Sequence, residues 1–206
     1  MDTLLQESRV VHTTRAYYAR VAGEYFRQKK GLTWPTEGHL KAVCHKLKPN
    51  AAVVDLGCGF GNGWPALRQL GVKRYVGVDF CPELIAIAKN RFHKLDFRVG
   101  DLRDLGKVLP ERFDGFFAIN VLQHISKDEL GQVAKEIRAI LKKGAVGAAV
   151  VPHGLQTRLV SMGGDVLLSQ EWTLDAVSPH WEAAGFEIVE PTYAEDGVLA
   201  ITFKAI

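Results

Sequence analysis

The chain has 206 residues, and 26 Lys and Arg against 23 Asp and Glu give a formal net charge of +3. This length suits one domain of about 150 residues with a small addition, and an apolar content of 47% is typical of a globular core. So small a charge surplus, without a long basic run, argues against nucleic-acid or anionic-membrane partners.

The three cysteines, Cys44, Cys58 and Cys81, lack paired spacing, which argues against a disulfide framework and against a zinc site. The amino terminus carries no apolar signal segment, and no stretch approaches the roughly 18 apolar residues of a spanning helix. We therefore predict a cytoplasmic protein with reduced thiols, no membrane partner and a monomeric or homodimeric state.

The apolar pattern predicts helices over 13–30 and 36–47, and from Ala51 onward short apolar runs alternate with amphipathic segments. Strands are predicted at 51–57, 74–80, 95–101, 114–122, 145–151, 186–190 and 198–206, with helices at 64–70, 82–92, 128–143 and 174–185. This alternation indicates an α/β fold with a seven-stranded, doubly wound, mostly parallel sheet and helices on both faces. The last two strands are joined too closely for a crossover, so they should form an antiparallel hairpin.

The segment that joins the first predicted strand to the next helix is rich in glycine. Gly57, Gly59 and Gly61 follow Asp55 in the order acidic-x-Gly-x-Gly-x-Gly, which lets the backbone approach a ligand closely. A dinucleotide fingerprint would need Gly or Ala where Asn62 stands. Asp55 would repel a pyrophosphate, but it can organise the loop or engage an ammonium group through water. The pattern therefore favours a ligand with an amino-acid moiety.

Three further polar residues stand at or near the ends of the predicted second, third and fourth strands: Asp79, Asp101 and Asn120. Because ligands bind at the carboxyl ends of strands in open α/β sheets, these side chains should converge. Asp79 can accept hydrogen bonds from both hydroxyls of a ribose, and Asp101 can accept one from an exocyclic amine. Each alone could equally be a turn former or a helix cap.

The segments VVDLGCGFGNG, YVGVDF, VGDLRDL and FDGFFAINVLQHI resemble, in order and spacing, the class I S-adenosylmethionine-dependent methyltransferases, particularly the small-molecule branch. The resemblance covers roughly residues 15–190 and implies a Rossmann-like core. It also implies S-adenosyl-L-methionine as cofactor and S-adenosyl-L-homocysteine as product. The residues that we expect at the cofactor are Tyr25, Asp55, Gly57, Gly59, Gly61, Asp79, Phe80, Asp101, Leu102 and Asn120. We assign residues 1–48 to an N-terminal helical cap or lid and 49–206 to the cofactor-binding core.

Methyl transfer needs a base only when the acceptor must lose a proton, and two histidines should lie at the ligand edge. His124 follows Asn120 by four residues, and His153 follows the fifth predicted strand. Imidazole titrates near neutrality, so both are candidate catalytic residues. The alternatives are a structural role for His124 in the loop beside the cofactor, and a surface or helix-start position for His153.

The longest stretch between core elements, residues 152–172, should form a substrate loop with Gly163 and Gly164 as its hinge. We expect His153, Glu171 and Trp172 to contact the substrate, although a Trp before a helix is as often a core anchor. Tyr17 and Tyr18 should also contact the substrate from a lid helix that carries Tyr25 as well. The alternative for these tyrosines is plain packing on the sheet.

The sequence thus predicts metal-independent transfer of a methyl group to a nitrogen or oxygen of a small molecule. The chain reads Asn120-Val121-Leu122-Gln123 where enzymes that methylate base amines carry an Asn/Asp-Pro-Pro-aromatic motif, which disfavours a nucleic-acid acceptor. A metal-dependent catechol-type enzyme is disfavoured because no Asp/Asp/Asn ligand set follows the fourth and fifth strands. The remaining alternative is a cyclase or a binding protein on the same scaffold.

Overall fold

A seven-stranded sheet carries the fold, and the computed structural model describes residues 2–31, 37–162, 165–195 and 197–206. Nine strands are found in these ranges: β1 (Ala52–Leu56), β2 (Arg74–Asp79), β3 (Asp96–Val99), β4 (Phe113–Ile119), β5 (Leu141–Pro152), β6 (Thr157–Met162), β7 (Asp165–Gln170), β8 (Phe186–Glu195) and β9 (Val198–Ala205). Helices in the same ranges are α1 (Asp2–Lys29), α2 (Glu37–Lys46), α3 (Trp64–Gln69), α4 (Pro82–Arg91), α5 (Lys127–Ala139) and α6 (Leu174–Ala183), with 3-10 turns at Leu102–Lys107 and Leu122–His124.

The strand order of the main sheet is β3-β2-β1-β4-β5-β9-β8. The strands from β3 to β5 are parallel to their neighbours, whereas β9 runs antiparallel to both β5 and β8. The predicted fold is therefore confirmed, including the antiparallel hairpin at the carboxyl end of the chain. Because the strand order reverses at β1, the carboxyl ends of β1 and β4 border the crevice in which open α/β sheets bind ligands.

Helices cover both faces of the sheet, as the doubly apolar strands require. On one face, buried side chains of α5 and α6 pack against β4, with Trp181 stacked on Phe116 at a ring-centroid distance of 5.9 Å. On the other face, α2, α3 and α4 bury side chains that include Leu40, Leu67 and Ile85. The two layers fix the strand ends in register, so the loops that follow those ends start from a rigid base.

The boundary between α5 and β5 differs from the sequence-based expectation. The predicted helix over 128–143 ends at Ala139, and the chain from Leu141 already belongs to β5. Pairing explains this difference, because Leu141 lies opposite Phe113 on β4, and the Phe113 amide donates to the carbonyl of Ile140 at 2.9 Å. Such a tertiary pairing overrides the helical pattern of the local sequence.

The predicted substrate loop over 152–172 contains a two-stranded hairpin, formed by β6 and β7 and separate from the main sheet. Residues 163 and 164, predicted as its hinge, lie outside the described residues. Helix α1 lies on β7, where the Thr13 hydroxyl donates to the carbonyl of Val166 at 2.7 Å and Arg20 forms an ion pair with Asp165. The hairpin and α1 therefore form one layer beside the ligand edge. Among the described residues, no helix has both the length and the apolar character needed to cross a membrane.

Candidate functional site

A cavity of about 310 Å³ lies at the edge where the parallel strands end. Its walls come from α1, the glycine loop after β1, the end of β2, the turn at 101–103 and the segment that follows β4. Cofactor and small-molecule sites usually measure about 300–1,000 Å³ and occur at this position in α/β folds. The location matches the convergence that the strand-end residues predict.

The glycine loop forms the floor of the cavity. Gly57 and Gly59 line it, and their φ angles of +70° and +53° lie in the left-handed region that favours glycine. A Cβ on Gly57 would overlap the side chain of Val121, which also lines the cavity. Gly61 does not line the cavity: a Cβ there would meet Phe97 at 2.9 Å. The absence of a side chain at Gly61 therefore allows the loop to pack closely on the residues beneath it.

Asp79 connects the end of β2 to the glycine loop. One carboxylate oxygen accepts a hydrogen bond from the Gly59 amide at 2.9 Å, and the other accepts one from the Cys81 amide at 2.9 Å. The side chain lines the cavity although the residue is only 6% exposed. Burial raises its pKa to about 6, and the two amide donors partly offset that rise. The carboxylate thus presents its remaining lone pairs to whatever occupies the cavity.

Asp55 lies beneath the loop and not at the cavity wall. Its carboxylate is 1% exposed and accepts a hydrogen bond from the Tyr75 hydroxyl at 2.7 Å. Burial raises the pKa of Asp55 to about 7, the Tyr75 hydrogen bond lowers it, and the charge of Asp79 adds to the rise. The structure therefore gives Asp55 a place under the loop, as the sequence allowed, but no direct access to a ligand.

The turn after β3 and the end of β4 supply the opposite wall. Asp101 and Leu102 line it, and Asp101 accepts hydrogen bonds from the amide and the guanidinium of Arg103 at 2.9 and 3.0 Å. Phe80 also lines the cavity. Asn120 also lines it and has a φ of +54°, which asparagine tolerates better than most residues. That conformation turns the chain away from β4 at the cavity edge.

Helix α1 covers the cavity with aromatic side chains. Tyr18 and Tyr25 line it, and their rings meet edge to face at a centroid distance of 5.7 Å. Tyr25 in turn meets Phe60 of the glycine loop at 5.6 Å. Tyr17 lies against Tyr18 at 5.4 Å but does not line the cavity. Burial raises the pKa of both Tyr18 and Tyr25, so both phenols stay protonated near neutral pH.

His124 lies where α1, β7 and the turn after β4 meet. Its Nδ1 is 2.8 Å from the carbonyl oxygen of Leu168, and its Nε2 is 3.1 Å from the Tyr18 hydroxyl. A carbonyl only accepts hydrogen bonds, so Nδ1 carries the proton in the neutral ring and Nε2 accepts from Tyr18. Burial lowers the pKa of His124, which favours this neutral form.

Three residues predicted at the substrate lie away from the cavity. His153 is exposed and its amide donates to the carbonyl of Gly197 at 2.7 Å. Glu171 forms an ion pair with Arg158 at 3.0 Å. Trp172 is 1% exposed, and its indole nitrogen donates to the carbonyl of Leu122 at 3.3 Å. Trp172 therefore anchors the turn that carries His124, in agreement with the core alternative.

Several lining residues were not singled out from the sequence. They share no common motif, and they include Thr14, Lys29, Phe60, Asn62, Arg103, Val121 and Ile125. Phe60 and Asn62 stand inside the glycine loop and Arg103 follows Asp101 by two residues, so proximity to the motifs was a usable signal. Thr14 and Lys29 reach the cavity only through the packing of α1, which the sequence alone does not specify.

Comparison with known proteins gives consistent matches. A family model described as a methyltransferase domain matches residues 53–144. A ubiquinone biosynthesis O-methyltransferase of Xanthomonas campestris pv. campestris is 33% identical over 102 residues, which cover 47% of this chain and 41% of that protein. A probable tRNA methyltransferase 9B of Homo sapiens is 27% identical over 158 residues, which cover 77% of this chain and 29% of that protein.

The solved structure titled "DhpI-SAH complex structure" superposes with a TM-score of 0.74 at 19% identity, covering 96% of this chain and 98% of that one. That likeness concerns the fold, whereas the family model covers the strands and loops from β1 to the start of β5. The chain spans less than half the length of the two curated relatives. Residues 53–144 therefore match a methyltransferase domain in sequence, and the fold of the whole chain is similar to that of the solved structure.

Proposed function

We propose that this chain transfers a methyl group from S-adenosylmethionine to a nitrogen or oxygen of a small molecule. The observation that carries the proposal is the buried Asp79 carboxylate, which is held by the glycine loop and lines the cavity at the strand edge. When bound, the cofactor supplies an electrophilic methyl group on a sulfonium centre, open to in-line attack. The residues of the chain bind it, exclude water and align the acceptor.

The cavity walls fit the parts of this cofactor. Asp79 has lone pairs for the ribose hydroxyls, and Leu102 with Phe80 offers apolar surface for a planar base beside the Asp101 carboxylate. At Gly57, where a side chain would overlap Val121, the backbone can approach the methionine portion closely. The ribose and the base of the cofactor therefore each have a chemically suitable wall.

The acceptor would enter between α1 and the segment after β4. Tyr18, His124 and Ile125 line that end, and Tyr25 continues the wall toward the glycine loop. A cavity of about 310 Å³ is at the lower end of the usual range, so a bound cofactor leaves little of it free, which favours a compact acceptor. Of the two predicted bases, His124 and not His153 lies on this wall.

Two measurements test the proposal in sequence. Calorimetric titration of the purified chain with S-adenosylhomocysteine should show a saturable site. Incubation with methyl-labelled S-adenosylmethionine and a small-molecule extract should then yield S-adenosylhomocysteine and a labelled product of low mass. Absence of binding at millimolar ligand refutes the cofactor assignment, and product formation without cofactor consumption favours a non-methylating enzyme on the same scaffold.

A second candidate, a nucleic-acid acceptor, is favoured by the similarity to the protein named as a probable tRNA methyltransferase. Phosphate contacts by Lys and Arg dominate such binding and make it strongly dependent on salt. The net charge of +3 is small for that role. Labelling of total tRNA under the same conditions, with loss of signal on nuclease treatment, would support this candidate over a small-molecule acceptor.

A further inference from the structure

Resting on the proposed function, we infer that Tyr18 and His124 form a proton relay for a hydroxyl acceptor, so that this site methylates oxygen. Tyr18 is the residue that touches the acceptor in this arrangement. His124 is the terminal proton acceptor behind it. The relay selects, from the nitrogen and oxygen acceptors that the fold allows, those whose nucleophile is an O–H group.

The hydrogen bonds of His124 dictate the direction of the relay. Nδ1 donates to the carbonyl of Leu168 on β7, so in the neutral ring only Nε2 has a free lone pair. That lone pair accepts the Tyr18 hydroxyl at 3.1 Å. An acceptor in the cavity therefore meets the phenol of Tyr18 before it can reach the imidazole, and both side chains line the cavity wall.

The phenol oxygen is suited to this intermediate position. While its own proton points to Nε2, its lone pairs remain available to accept a hydrogen bond from an O–H group in the cavity. The Tyr18 ring also makes edge contacts with Tyr17, Tyr25 and His124, at centroid distances of 5.4 to 5.7 Å. The hydroxyl is thus positioned by packing and not only by its hydrogen bond.

The relay matters for oxygen nucleophiles in particular. A neutral amine attacks through its lone pair and can release its proton to water after transfer, and an alkylammonium ion can lose its proton to bulk water before it enters the site. An alcohol or phenol is a poor nucleophile until its proton begins to leave, so it gains from a base within hydrogen-bond reach. A buried imidazole that is held in one tautomer, with a phenol between it and the acceptor, is therefore most useful to a hydroxyl acceptor.

The step balances as follows. The acceptor oxygen forms a bond to the methyl carbon, and the electron pair of the broken carbon–sulfur bond remains on sulfur. The acceptor proton moves to the Tyr18 oxygen while the Tyr18 proton moves to Nε2 of His124. One positive charge disappears at sulfur and one appears on the imidazolium, so the buried site keeps its total charge. The Leu168 carbonyl, which accepts from Nδ1, stabilises that imidazolium until it releases the proton to water.

Two substitutions separate the relay from simple packing. Tyr18→Phe keeps the ring and its edge contacts but removes the hydroxyl. His124→Gln offers an amide that can donate to Leu168 and accept from Tyr18, yet it cannot take up a proton near neutral pH. Tyr193→Phe is the matched control, because it also removes one tyrosine hydroxyl, on β8 and outside the residues that line the cavity.

A spectroscopic readout tests the geometry without turnover. In the chain labelled with ¹⁵N-histidine and bound to S-adenosylhomocysteine, His124 should show a protonated Nδ1 and an unprotonated Nε2 at neutral pH. Tyr18→Phe should shift the Nε2 resonance, whereas Tyr193→Phe should leave it unchanged. An Nε2-protonated ring, or an Nε2 resonance that does not respond to Tyr18→Phe, overturns the relay.

Turnover then tests the acceptor class with matched probes, phenols against anilines and alcohols against amines of the same skeleton. We expect label on the hydroxyl members only. Tyr18→Phe and His124→Gln should each lower kcat by about 10²- to 10⁴-fold, with the affinity for S-adenosylhomocysteine within about twofold of the unsubstituted chain. Labelling of the nitrogen members only, labelling of neither set, or full activity in both variants overturns the inference. Failure of S-adenosylhomocysteine to bind would instead refute the proposed function.

Discussion

Replacement of Asp55 by Asn should remove a large part of the pH dependence of folding. The carboxyl group is 1% exposed, and its pKa is raised from 3.8 to about 7, chiefly by burial. A group whose pKa is raised by folding binds its proton more tightly in the folded state. Its contribution to stability is therefore complete below pH 3.8 and is lost as the pH rises through about 7.

The magnitude follows from the size of this shift. Each pKa unit corresponds to about 1.4 kcal/mol, so a shift of roughly three units gives at most about 4 kcal/mol. Most of the loss falls between pH 5 and pH 8, where we expect the free energy of unfolding to decrease by about 2 to 3 kcal/mol. Asp79, with a pKa raised to about 6, acts in the same direction over a lower pH range.

Asn at position 55 stays neutral at every pH and can still accept the hydrogen bond of the Tyr75 hydroxyl. Urea unfolding at pH 5, 6, 7 and 8 should therefore show a shallower slope for Asp55→Asn than for the unsubstituted chain. Glu182→Gln, at an exposed position of α6, is the matched control and should leave the slope unchanged. Equal slopes in the unsubstituted chain and Asp55→Asn would refute the reasoning from burial.

Three other substitutions test the site. Asp79→Asn should weaken S-adenosylmethionine binding, measured by calorimetry, by about 1 to 3 kcal/mol. In the unsubstituted chain the affinity should also fall as the pH drops through about 6, whereas the affinity of the variant should not change over that range. Gly57→Ala, at a φ of +70°, should lower the affinity for S-adenosylmethionine about tenfold or more. Gly144→Ala is the control: its φ is +76° with open space around it, so it should cost about 1 to 2 kcal/mol of stability and leave the affinity intact. Trp172→Phe removes a buried indole donor and should lower the free energy of urea unfolding by about 1 to 3 kcal/mol; an unchanged value would show that the hydrogen bond contributes little.

The sequence predicted the main sheet well because its strands have simple local signatures. Apolar runs such as 52–56 and 113–119 end at glycine or a polar residue, and the short connection before β9 leaves an antiparallel hairpin as the natural solution. The glycine loop was also predictable, since its positive φ angles restrict the residue type, and Asp79 was predictable because it ends a clearly apolar strand. These features depend on neighbours in the chain.

Features that depend on distant contacts were less accessible. The sequence predicts a loop where the structure has the hairpin of β6 and β7. The strands of this hairpin pair with each other and pack on α1, and the local sequence pattern does not reveal these contacts. The contact of Tyr18 with His124 joins residues 106 positions apart, and no periodicity encodes it. His153 and Trp172 illustrate the converse: both lie near the predicted edge in the chain, yet one side chain is exposed to solvent and the other is buried in the core.

Calorimetric titration of the unsubstituted chain with S-adenosylmethionine and with S-adenosylhomocysteine tests the central claim most directly. We predict saturable binding of both ligands at one site per chain, weakened in parallel by Asp79→Asn. A chain that is folded by circular dichroism and binds neither ligand at millimolar concentration would contradict the assignment of the cavity.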